Sequence, residues 1–211
     1  MKIEKSTGFL LLGSLSILGW ALFYYFVLER PLIKSQLGLS GVTNSEFEIA
    51  AISDNYNVTK IFFSLMLIGF TAMVLGWRSV ATSLGGGGAR TELARFLLLP
   101  GLVLGIASGA LTLGSASGSS AMPLHNAANA LDVIGSMFIF IALCIIGIDI
   151  FLETQYQTTE NKSLIQVVSG ILVVGSVIGV VMYMGNPDSA ILNVAYLALL
   201  VSSLGIYSKT S

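Results

Sequence analysis

The sequence predicts an all-α fold: a polytopic integral membrane protein, built as a single six-helix bundle over residues 1–211, with both termini in the cytoplasm. Three observations carry this expectation. The 211 residues are 55% hydrophobic and only 10% charged, against roughly 25% charged in an ordinary soluble domain, and the mean hydropathy is +0.87. Six apolar segments reach the length that crosses a bilayer, about 17–25 residues. Lys and Arg gather on one set of chain ends and loops, as they do on the cytoplasmic side of membrane proteins.

The six segments lie near 9–28, 61–77, 96–114, 133–152, 164–184 and 189–207. The first follows Lys2 and Lys5 as a signal peptide would, but it runs on through Trp20, Tyr24, Tyr25 and Phe26 without a small-residue cleavage site. It is expected to stay as the first helix. The connection at 29–60 is the one long enough to carry structure of its own. In the third segment, Gly101, Gly105, Ser108, Thr112 and Ser115 recur at helical spacing and make one small face that lets a neighbour come close. In the fifth, Gly175 and Gly179 form a Gly-x-x-x-Gly pair, expected to pack inside the bundle.

Orientation follows from counting. Lys2, Lys5, Arg78, Arg90, Arg95, Lys162 and Lys209 flank one set of termini and loops, while Arg30, Lys34 and Lys60 flank the other. The loops at 115–131 and 185–188 hold no Lys or Arg. The first set is therefore expected in the cytoplasm, leaving the 29–60 loop, the His125 region and the Met184–Ser189 turn outside.

Composition also excludes. A net charge of −1 lacks the basic footprint of a nucleic-acid binder. One cysteine, Cys144, and one histidine, His125, permit no intrachain disulfide, no CxxC motif and no multi-histidine metal or haem site from this chain alone. No cofactor is expected. The Gly85–Gly88 run lacks a following Lys-Ser/Thr and precedes no strand-to-helix turn, so it is read as a linker, not a phosphate loop.

The polar residues point to one place. At 100° per residue, spacings of 4, 3 and 4 bring His125, Asn129, Asp132 and Ser136 to one side of the fourth helix. The second helix adds Asn57, Ser64 and Thr71, and the sixth Asn193. A polar pocket opening outward would explain them together. A structural reading stays open beside it, because polar groups at helix ends also sit among headgroups, whereas ionisable groups at membrane depth point to function. Asp149, close to the cytoplasmic end and four residues before Glu153, is expected to snorkel to that interface.

The stretches "AAISDNYN", "LHNAANAL" and "MGNPDSAILNVAYLALLVSSLGIY", with the glycine-rich third helix between the first two, resemble the six-helix membrane family called domain of unknown function 998. That family is similar in turn to the FRAG/DRAM/SFK group. The resemblance spans the chain from first helix to last and implies a fold and a site, but no reaction. It matches the family's Ile-Ser-Asp element to Ile52, Ser53 and Asp54, its histidine to His125, and its acidic residue before the last helix to Asp188. Two departures stand out: Asn55-Tyr56 follows where Leu-Gly is usual, and Asp188 comes after Pro187 where a longer Glu is common.

The candidate external pocket thus comprises Ser53, Asp54, Asn57, His125, Asn129, Asp132, Asp188 and Asn193. Its expected partners are membrane lipids or a small amphiphilic ligand, with no nucleic acid. Binding the head of such a molecule is the expected function. A membrane-embedded hydrolase or transferase using His125 with Asp and Ser partners is the alternative, and a proton-coupled transporter working through Asp132 and His125 the third. A shared pocket would place His125 within direct or one-water reach of Asp54 or Asp188.

Overall fold

A computed structural model describes residues 7–23, 44–84, 88–116, 121–155, 162–185 and 191–210. Among these the protein is all-helical, without strands. The elements are α1 (Thr7–Phe23), α2 (Asn44–Asp54), α3 (Tyr56–Ser83), α4 (Gly88–Ser115), α5 (Ala121–Gln155), α6 (Lys162–Gly185) and α7 (Leu192–Thr210). Four of them, α3 to α6, are long and apolar enough to cross a membrane, while the apolar runs of α1 and α7, Gly8–Phe23 and Leu192–Tyr207, are shorter.

α3 to α6 exceed the apolar runs that announce them. α3 starts at Tyr56, immediately after α2, with Asn55 at the junction donating from both its backbone and its side chain to the carbonyl of Ala51. α5 has 35 residues, about 52 Å of helix, against a hydrocarbon core of about 30 Å. Pro123 is tolerated in its first turn, where an amide has no helical acceptor. Pro100, inside α4, removes one amide donor from the ladder mid-helix.

The six longer helices close into a ring. Each packs on its neighbour in the chain, α3 on α1 included, and α7 returns to α1. Where α4 meets α5 the backbones come very close: a Cβ on Gly101 would stand 2.6 Å from Ile139 Cγ1, and one on Gly135 3.1 Å from the Gly101 carbonyl. Gly175 and Gly179 pack inside the bundle as their spacing predicts, against Ala198 of α7 and the Phe140 ring of α5.

The core runs through the middle of this ring, with Leu10, Trp77, Leu98, Leu143, Ile146 and Leu172 almost fully buried. Outward, large apolar side chains lie exposed along single faces: Ile61, Leu65 and Ile68 on α3, Val167, Val174, Val177 and Val181 on α6, and Val194, Leu197 and Val201 on α7. Apolar faces of this extent are stable in lipid and costly in water.

The long connection does carry structure. Ala51 and Ile52 of α2 bury themselves with Phe23, against Trp20 and Ala116. Trp20 meets Phe63 edge-on at 4.9 Å and Phe23 stacks on Phe62 at 4.3 Å. These aromatic contacts fix one end of the ring, here called the His125 end. The other is the Asp149 end.

Candidate functional site

A cavity of about 650 Å³ opens inside the ring. α1 contributes Ile17, Trp20 and Ala21, and α3 contributes Met66, Leu67, Phe70 and Met73. α4 presents Gly105, whose missing side chain leaves room that a Cβ would take from the Phe70 ring, 2.8 Å away. α5 supplies Asp132, Ser136, Ile139 and Phe140, and α7 supplies Asn193, Tyr196 and Leu199. The walls are apolar and aromatic, and the polar groups converge at one end.

That polar end is a hydrogen-bonded cluster. Ser136 Oγ donates to Asp132 Oδ1 at 3.5 Å, one helical turn away, and the Tyr183 hydroxyl of α6 reaches Asp132 Oδ2 at 3.3 Å. Tyr183 and Tyr196 share a short hydrogen bond between their hydroxyls, in which either could donate. Phe140 holds both rings, at 5.6 Å from Tyr196 and 6.1 Å from Tyr183. A tyrosine buried by its ring needs a partner for its hydroxyl, and here each phenol supplies one for the other.

Of the residues expected in a pocket, Asp132 and Asn193 line the cavity. Ser136, read on the same helix face, lines it too. Asn129 is exposed. His125 is buried, 1% exposed, but is not among the residues lining the cavity; it lies seven residues before Asp132 on α5, about 10 Å of helix rise. The predicted stripe therefore divides by depth, with Asp132 and Ser136 on the cavity and His125 buried beyond its lining. Ser53, Asp54 and Asn57 are exposed at the start of α3 and the end of α2. Asp188 lies outside the described residues, and so does most of the Gly85–Gly88 run.

The other polar stripes turn inward on their own helices. Ser64 donates to the Lys60 carbonyl at 2.7 Å and Thr71 to that of Leu67 at 2.8 Å. On α4, Thr112 donates to the Ser108 carbonyl at 3.1 Å and Ser115 to that of Thr112 at 2.7 Å. Hydroxyls bonded back to the preceding turn need no polar partner across the bundle.

Asp149 does not snorkel. Its residue is 4% exposed, with Arg90 Nη2 at 3.1 Å from Oδ1 and Thr91 Oγ1 donating to Oδ2 at 2.9 Å. Both partners come from the first turn of α4, so the carboxylate is paired inside the protein, by charge at one oxygen and by a hydrogen bond at the other, and has no need to reach the interface. No group of three or more His, Cys, Asp or Glu side chains suited to a metal occurs among the described residues.

Tyr183 and Tyr196 were not singled out in the sequence, because hydropathy counts their rings and hides their hydroxyls. The spacing held one clue: Tyr196 is three residues from Asn193, on the same helix face. Comparison with protein-family models, curated proteins and solved structures finds no match to this chain.

Proposed function

We propose that this is a multi-pass protein of the cell membrane, with six spans and cytoplasmic termini, whose cavity opens outward and binds a lipid or other amphiphile. The resemblance to the domain of unknown function 998 family is part of the proposal. The observation that carries it is the cavity itself: apolar walls with a single polar end at Asp132, at a volume within the roughly 300–1,000 Å³ of small-molecule sites. An amphiphile has the same division between chain and head. Six spans agree with the outward apolar faces of α1 and α7, where Leu12, Leu15, Val194 and Leu197 are exposed. A bilayer thinned or snorkelled at its edges accommodates short spans at modest cost.

Catalysis by His125 fits less well. The imidazole does not line the cavity, and Ser53 is exposed on another helix. Binding asks only for the walls and the polar end.

Native mass spectrometry on protein released from its membrane tests the reading. The wild-type chain should carry a tightly held lipid or amphiphile adduct, and Ser136→Leu, which fills the polar end, should lose it while remaining folded. A wild-type protein without any adduct, and unable to take one up from added lipid, would contradict the proposal. Thiol probes placed at 38–45 and 117–121 should react from outside intact cells, and probes at 85–88 should not. External labelling at 85–88 would reverse the orientation.

A further inference from the structure

Any charge that the described residues at the polar end of the cavity carry is negative. Asp132 is the one acidic group among the described residues that line it, and no Lys, Arg or His is among them. Its other polar groups are Ser136, Asn193 and Tyr196, with Tyr183 behind. A carboxylate inside a membrane bundle is costly unless a positive charge faces it. Asp149, on the same helix, has that countercharge from Arg90. Among the described residues Asp132 is bonded to hydroxyls alone, which lower the cost of a charge there without supplying a countercharge.

The walls complete the argument. Trp20, Phe70, Phe140 and Tyr196 all line the cavity, and aromatic rings attract cations held over their faces within about 6 Å of the centroid, strongly so when water is excluded. Aromatic rings with a carboxylate are the chemistry that recognises an ammonium group. A phosphate or sulfate head would meet a carboxylate and no positive partner among these residues, a repulsive pairing in a medium of low dielectric.

Resting on the reading of the cavity as an amphiphile site, we propose that its ligand is cationic: an amphiphile with an amine or quaternary ammonium head at Asp132 and its chain among Met66, Phe70, Met73 and Leu199. The chain has two tryptophans, and Trp20 lines the cavity, so in a Trp77→Phe background it is the sole tryptophan and, with excitation that spares tyrosine, the reporter.

The test uses this variant in neutral maltoside micelles, titrated with 11-bromoundecyl amphiphiles that differ only in head: trimethylammonium, phosphate or maltoside. Bromine on the chain quenches Trp20 when the chain occupies the cavity. The ammonium compound should reach half-quenching at a micellar mole fraction at least tenfold lower than the phosphate. Asp132→Asn should remove most of that preference and leave the maltoside curve unchanged. Tetramethylammonium should displace the ammonium amphiphile more than tenfold less well than a dodecyl analogue, which separates an amphiphile site from a site for a free small cation. Quenching that is equal for the three heads, or a preference that survives Asp132→Asn, would overturn the cationic assignment while leaving the cavity reading in place. Absence of quenching by all three would overturn both.

Discussion

Two aspartates on α5, Asp132 and Asp149, lie 17 residues apart in the sequence, about 25 Å of helix. Asp149 is closed: one oxygen faces the Arg90 guanidinium, the other receives the Thr91 hydroxyl, and the side chain is almost entirely covered. Asp132 is bonded to Ser136 and Tyr183, half-buried, and opens on a cavity. Two identical side chains on one helix therefore do different work. A carboxylate whose countercharge comes from the preceding helix ties two helices together, while Asp132, bonded among the described residues to hydroxyls alone, lies where the proposed cationic head would meet it.

The comparison can be broken by removing each carboxylate. Asp149→Ala should show the largest effect, because it leaves Arg90 without its ion pair and Thr91 without its acceptor. A loss of about 2–3 kcal/mol is expected, the scale of charge-assisted hydrogen bonds, read as a lower unfolding midpoint in detergent. Unchanged stability would mean that the α4–α5 junction does not depend on that pair. Next comes Gly105→Leu, on the cavity wall facing Phe70. Overpacking there should cost about 1–3 kcal/mol, and the same thermal measurement showing no loss would mean that the cavity accepts the side chain without repacking. The smallest effect on stability belongs to Asp132→Asn, which keeps an acceptor for Tyr183. It should move stability by less than about 1 kcal/mol, in either direction, since burying a charge without a countercharge offsets what its hydrogen bonds contribute. A drop as large as that of Asp149→Ala would make the two aspartates structurally equivalent and end the distinction.

How far the sequence revealed this depends on which property each element uses. The apolar runs behind α3, α4, α5 and α6 are visible to hydropathy because lipid-facing and core residues are both apolar there. The helix ends are not. The start of α5 at Ala121, twelve residues before the apolar run expected at 133, comes from backbone hydrogen bonding, which continues through His125 and Asn129 whatever their polarity. α2 was legible only as a connection long enough for structure, since its Ala51 and Ile52 find their partners on α1 and after α4. Asp132, Ser136 and Asn193 were legible as polar atoms in apolar surroundings. Tyr183 and Tyr196 were not, and the burial of Asp149 by Arg90, 59 positions earlier in the sequence, follows from a helix pairing that local spacing does not contain.

The return of α7 to α1 closes the ring with the last described helix against the first. Among the helices that wall the cavity, α7 is made last, after α1, α3, α4 and α5. Asn193 and Tyr196 ride on that helix, so until α7 docks, Asp132 and Tyr183 lack the wall and the phenol partner that it supplies. A carboxyl group left in apolar surroundings without its polar neighbours is costly, and the docking of α7 lowers that cost. The same aspartate that the folded protein turns toward its cavity is, until α7 docks, the mark of an unfinished wall.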